Sequence, residues 1–207
     1  MADAPTNPAT APFRLTMGAL WLAIPTILVF VDVGTQAEYQ GDLWTHLRQG
    51  RLIVESGGIP ATDQITYTIY GQPVLNQNWL GQILLYESYL IDGIRSTQFL
   101  AAVLYSFVLA LVTWVCYKRS GDARCAAAAT VIAFACGWTN FSVRTQTFGI
   151  GCFAVSATTL WLWPKKAWWP LAVIAVNELF WTNVHGTFPL GIVLPLAFAF
   201  GRALDAL

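Results

Sequence analysis

Apolar residues are gathered in long runs separated by short polar stretches. Six runs stand out, at 13–33, 97–117, 124–138, 147–163, 168–184 and 188–203. A membrane-crossing helix needs about 20 mostly apolar residues, because the hydrocarbon core is about 30 Å thick and each residue rises about 1.5 Å. The pattern predicts about six transmembrane helices. Pro25, Pro189 and Pro195 lie in or near these runs, where neighbouring helices can satisfy the carbonyls that proline frees.

Between the first two runs the pattern changes. Residues 42–54 predict a short helix lying at the membrane interface. Asp42, His46 and Gln49 form one stripe by i, i+4, i+7 spacing, and Leu43, Leu47 and Val54 form another. Gly57, Gly58 and Pro60 end it. Alternating β-branched and aromatic residues over 65–70, followed by Gly71-Gln72-Pro73, predict a small hairpin. Residues 79–91 predict a second amphipathic helix with Leu80, Leu84 and Ile91 on its apolar side. Such helices suit a protein that handles lipid headgroups.

Composition agrees with the runs. Of 207 residues, 56% are hydrophobic and only 11% are charged, and the mean hydropathy is +0.54. A soluble domain carries about 25% charged residues, so these few cannot coat a globule that meets water on every side. The chain reads as an all-α integral membrane protein with one membrane domain. Residues 1–12 are its cytoplasmic tail, 13–33 the first span, 34–96 a long structured outer loop and 97–204 five further spans. Eleven basic residues balance eleven acidic ones, which leaves no electrostatic footprint for nucleic acid. Cys116, Cys125, Cys136 and Cys152 lie in or beside the runs without a CxxC pair. They predict packing residues rather than a disulfide framework or a zinc site. Trp138, Trp163, Trp168, Trp169 and Trp181 fall near run ends, as an interfacial aromatic belt would.

Lysine and arginine resist translocation and collect on the cytoplasmic side. Arg14, Lys118, Arg119, Arg124, Lys165, Lys166 and Arg202 share one side if six spans start from a cytoplasmic N-terminus. The opposite side then carries Arg48, Arg51, Arg95 and Arg144 with Glu38, Asp42, Glu55, Asp63, Glu87 and Asp92.

Ionisable residues inside a bilayer are costly and mark function by default. Glu178 lies within the fifth run, with Asn183 and then His185 following; His185 is seven residues on and shares its helical face. Each candidate also has a structural reading: a protonated Glu178 in an interhelical hydrogen bond, Arg144 snorkelling to headgroups, Asp42 as a helix N-cap, His46 on a backbone carbonyl. Asp42, His46, Arg48, Arg144, Glu178 and His185 all map to the outer side. Together they can supply a base for a hydroxyl and cations for a departing phosphate.

The ordered motifs carry a resemblance. Asp42-Leu43-Trp44-Thr45-His46-Leu47-Arg48-Gln49-Gly50 is followed by Gly58-Ile59-Pro60, Asp63, Thr66-Tyr67-Thr68, Gly71-Gln72-Pro73 and Asn78-Trp79-Leu80. Arg144-Thr145-Gln146 and Trp181-Thr182-Asn183-Val184-His185-Gly186 come later. Over residues 15–195 this set resembles a group of bacterial polytopic membrane proteins similar to the GT-C superfamily of glycosyltransferases, which use polyprenyl-phosphate sugars. The resemblance implies a multi-span protein of the bacterial inner membrane whose periplasmic loop carries the catalytic acid. Asp42 would be the base on the acceptor hydroxyl, with inversion at the sugar. Arg48 or Arg144 would contact the lipid phosphate, and His46 and His185 would line the pocket; Glu178 and Asn183, from their place in the fifth run, are further substrate-binding candidates.

The chain departs from that pattern in three places. Gln40 stands where many members have a second acid, with Glu38 the nearest substitute, and Gln77-Asn78 stands where His-Glu is usual. Relatives of this kind also run longer, which reads as truncation or shortening here. No cofactor is firmly implied, although a divalent metal fits the family's chemistry. The expected partners are membrane lipid and a lipid-linked sugar. The alternative is a non-catalytic subunit of a larger respiratory or photosynthetic membrane complex, in contact with other membrane subunits.

Overall fold

The computed structural model describes residues 16–36, 41–164 and 167–205. Arg14, Glu38, Gln40, Lys165 and Lys166 lie outside the described residues. Among the described residues seven α-helices follow in order: α1 Met17–Thr35, α2 Gly41–Ser56, α3 Trp79–Ser120, α4 Ala123–Gly137, α5 Gln146–Trp161, α6 Trp169–Val184 and α7 Pro189–Leu204. A 3₁₀ turn, Trp138–Asn140, extends α4.

Local chemistry explains the boundaries. The Thr16 hydroxyl accepts from the Ala19 N–H at 3.2 Å and starts α1. Gly121, at φ +69°, ends α3, a left-handed cap that costs glycine nothing. Asp122 then opens α4 by accepting from the N–H groups of Arg124 and Cys125 at 2.7 and 2.9 Å.

α3 is the central element. It packs against α1, α2, α4, α5 and α6, while α5 also packs against α6 and α7. The core is centred on Tyr105, Leu85, Trp181, Val29 and Leu43, all at most 2% exposed. Several buried or half-buried polar groups on facing helices are paired. Thr113 bonds Thr130 at 3.1 Å between α3 and α4. Asn177 donates from α6 to the Cys152 carbonyl at 2.8 Å and the Ser156 hydroxyl at 2.9 Å on α5.

Each of the six predicted runs holds a helix among the described residues. Two helices, α1 and α3, are long and apolar enough to cross a membrane. The other four have 15 or 16 residues, about 24 Å at most and short of a straight crossing. Among the described residues two helices therefore qualify by length and composition, and six crossings are not confirmed by that measure.

Four features differ from the sequence expectation, three of them in the segment between α1 and the apolar half of α3. First, no strand forms among the described residues; a single bridge, Thr62–Pro73, ties its ends. Asp63 is the cause. Its carboxylate accepts from the backbone of Ile65 and Thr66 at 3.0 and 2.6 Å and from the Thr66 hydroxyl at 3.0 Å. These local bonds wind the alternating residues into turns instead of an extended ladder. They also hold the Asp63 carboxyl below the usual carboxylate range, the Thr66 N–H contributing most. Second, α2 buries Leu43, Leu47, Gly50 and Ile53, and leaves Val54 exposed. Third, the helix beginning at Trp79 runs on into the apolar run through a kink at Asp92 and Gly93, and Ile91 is 81% exposed. Fourth, Trp181 is fully buried in the core, so it is no part of an interfacial belt, whereas Trp138, Trp168 and Trp169 are exposed. All four cysteines are free thiols, with Cys152 buried and Cys125 and Cys136 exposed.

Candidate functional site

Arg144 and Thr145 sit on a short link between the 3₁₀ turn and α5. Buried Tyr105 positions that link. Its hydroxyl reaches the carbonyls of Asn140 and Ser142 at 3.2 and 3.1 Å, and the Thr147 hydroxyl donates to it at 3.1 Å. Phe141 packs edge-on against the same ring, with centroids 4.8 Å apart.

Glycines let the other segments close in. A Cβ on Gly81 of α3 would lie 2.7 Å from the Val184 carbonyl oxygen and 3.1 Å from Thr145 Cγ2. A Cβ on Gly149 of α5 would lie 2.9 Å from Thr187 Oγ1 and 3.3 Å from His185 Cβ. The first turn of α2, the Arg144 link and the end of α6 therefore meet in one polar mouth.

In this mouth Arg144 Nη1 lies 3.9 Å from Asp42 Oδ2. Asp42 is 66% exposed and Arg144 only 20%, so the acid faces outward and the cation sits behind it. His46, one turn after Asp42, places Nε2 3.3 Å from the Thr145 hydroxyl. His46 Nδ1, Arg144 Nε and Asn78 Oδ1 are buried without hydrogen-bond partners among the described residues. Burial lowers the pKa of His46; Asp42 opposes this, and His185 and Arg144 add to it.

His185 has left the helix. Its backbone is extended at φ −161°, ψ 141°, and its Nδ1 receives the Thr187 N–H at 3.2 Å. The Trp181 indole N–H donates to Thr187 Oγ1 at 3.1 Å, and that hydroxyl lies 2.9 Å from His185 Nδ1. With Nδ1 accepting, the pattern assigns the imidazole proton to Nε2. Burial and then Arg144 lower the His185 pKa, in keeping with this neutral tautomer.

Not every candidate joins this group. Six residues along the helix turn Arg48 about 120° away from Asp42, and it lines a separate groove with Trp44 and Tyr86. Glu178 and Trp181 both lie against Gly191 at the α6–α7 contact, and both Glu178 carboxyl oxygens are buried without a hydrogen-bond partner among the described residues. Helical spacing could not align it with His185, because the helix ends at Val184. Asn183 accepts from the Trp79 indole N–H at 2.9 Å, fastening the start of α3 to the end of α6.

Three participants were not singled out from sequence: Thr145, Thr187 and Trp79. Each lies inside or directly beside a quoted motif, and that adjacency was the available signal. Among the described residues no three histidine, cysteine, aspartate or glutamate side chains gather as metal ligands would. Chemically, the mouth offers an exposed carboxylate, a cation behind it and two neutral imidazoles. That set can take a proton from a hydroxyl and stabilise an anionic leaving group.

Comparison of the chain with protein-family models, curated proteins and solved structures gives no match.

Proposed function

We propose that this is a GT-C-like glycosyltransferase of the bacterial inner membrane, with six crossings and a cytoplasmic N-terminus. It transfers a sugar from a polyprenyl-phosphate donor at the periplasmic face. Asp42 takes the proton from the acceptor hydroxyl. Arg144 holds the lipid phosphate as the sugar leaves with inversion, and His46 and His185 line the pocket. The observation that carries this reading is the Asp42–Arg144 pair at 3.9 Å, formed between segments about a hundred residues apart. Displacing a sugar from its phosphate calls for a base at the acceptor hydroxyl and a cation at the departing phosphate, and this pair supplies one of each. Arg48 drops out of the phosphate contact, because it faces another groove.

The test is transfer from a polyprenyl-phosphate sugar in membrane vesicles. Asp42→Asn should abolish transfer and leave helical content and thermal unfolding unchanged; an active Asp42→Asn protein would reject the mechanism. A second reading, a non-catalytic subunit, is favoured by α7. That helix buries only Gly191 and exposes Leu190, Ile192, Val193, Leu196 and Phe200, a face that a neighbouring subunit could cover. Co-purification with other membrane subunits at fixed stoichiometry, without donor turnover, would select it.

A further inference from the structure

The face of α2 turned away from the mouth forms its own groove. Trp44, Arg48 and Arg51 recur at i, i+4, i+7, and Tyr86, Tyr89 and Leu90 of α3 line the opposite wall around about 360 Å³. The groove exists because the two helices cross at Gly50. A Cβ there would run into the Gln82 carbonyl and lie 2.8 Å from Tyr86 Cβ.

Charge and surface define the occupant. Arg51 Nε is bonded to Glu55 Oε1 at 2.7 Å, and Arg48 has no ion-pair partner among the described residues. Arg48, Arg51 and Glu55 together leave one positive charge facing three aromatic rings. A guanidinium fork matches phosphate oxygens, and a single net charge matches a phosphodiester. Trp44 and Leu90 are 54% and 58% exposed at the rim, an apolar border to a cationic pocket. Tryptophan and tyrosine with arginine are the side chains that settle at headgroup depth.

We propose that this groove is a second site, separate from the Asp42 mouth, that binds an anionic phosphodiester. The arginines take the phosphate and the aromatic walls take the attached organic group. The site does not depend on glycosyl transfer.

The test uses the full chain in zwitterionic detergent, with binding followed by native mass spectrometry. Phosphatidylglycerol is compared with glycerophosphoglycerol, the same phosphodiester without acyl chains. Saturable binding of at least one is expected. Arg48→Gln should weaken it about tenfold, the size of one lost charged hydrogen bond. Glu55→Gln frees Arg51 and should tighten it, a gain that misfolding cannot imitate. Arg95→Gln removes equal charge elsewhere and should leave it unchanged. Binding of the lipid alone identifies a membrane headgroup as the source; equal binding of both identifies a soluble phosphodiester. No saturable binding of either, or equal weakening by Arg48→Gln and Arg95→Gln, would overturn the site.

Discussion

His46 and His185 are both held below the ordinary histidine value of 6.5, chiefly by burial. Between their folded and unfolded pKa values the unfolded chain binds more protons, so stability rises with pH in that window. The contribution is whole above about pH 6.5 and is lost as pH falls through the folded values. Thermal unfolding midpoints should therefore drop between about pH 7 and about pH 5. His46→Gln should flatten that slope; an unchanged slope would place the titrating groups elsewhere. Asp63 makes a different residue-scale case. Its side-chain bonds to Ile65 and Thr66 determine the turns that follow. Asp63→Ala should speed proteolysis within residues 64–74, with the rest of the chain resistant. Alternation over 65–70 suggested strands because periodicity registers side-chain polarity and cannot register a carboxylate competing for backbone donors.

At the scale of elements, the helix positions were legible and their joints were not. Apolar runs and the Gly57, Gly58 and Pro60 break are local signals, and helices begin and end close to them. Joints depend on approach distances that no local pattern encodes. Val54 and Ile53 are equally apolar, yet only Ile53 is buried, because Gly50 sets where α2 crosses α3. The seven-residue step from Glu178 to His185 assumed a helix that ends one residue too soon. Replacing a closely packed glycine forces the backbones apart, at about 1–3 kcal/mol for overpacking. Gly50→Ala and Gly81→Ala should each lower thermal stability by that order, whereas Gly58→Ala, with open space around it, should not. The Trp79–Asn183 bond joins α3 to α6. A double-mutant cycle of Trp79→Phe with Asn183→Ala should show coupling of about 1 kcal/mol.

For the whole molecule, the sidedness expected from lysine and arginine would put Asp42 and His185 in one compartment. Their meeting around Arg144 is compatible with that, though charge counting could never have selected Arg144 over Arg48 as the partner. The proposed topology has its own check. In a cysteine-free background, Gly58→Cys should react with a membrane-impermeant maleimide added outside, and a lone Cys125 should react only after the membrane is opened. Labelling of both from outside would discard the six-crossing arrangement. The bend in α3 has a larger effect than its two residues suggest. Gly93 adopts φ +61°, which side chains larger than glycine's hydrogen rarely tolerate. Without that elbow, residues 79–91 would continue straight on as a mast about 20 Å tall, carrying Gly81 away from Val184 and Tyr86 away from α2. One glycine thus folds the mast down, and both the acid-bearing mouth and the arginine groove exist only in its lowered position.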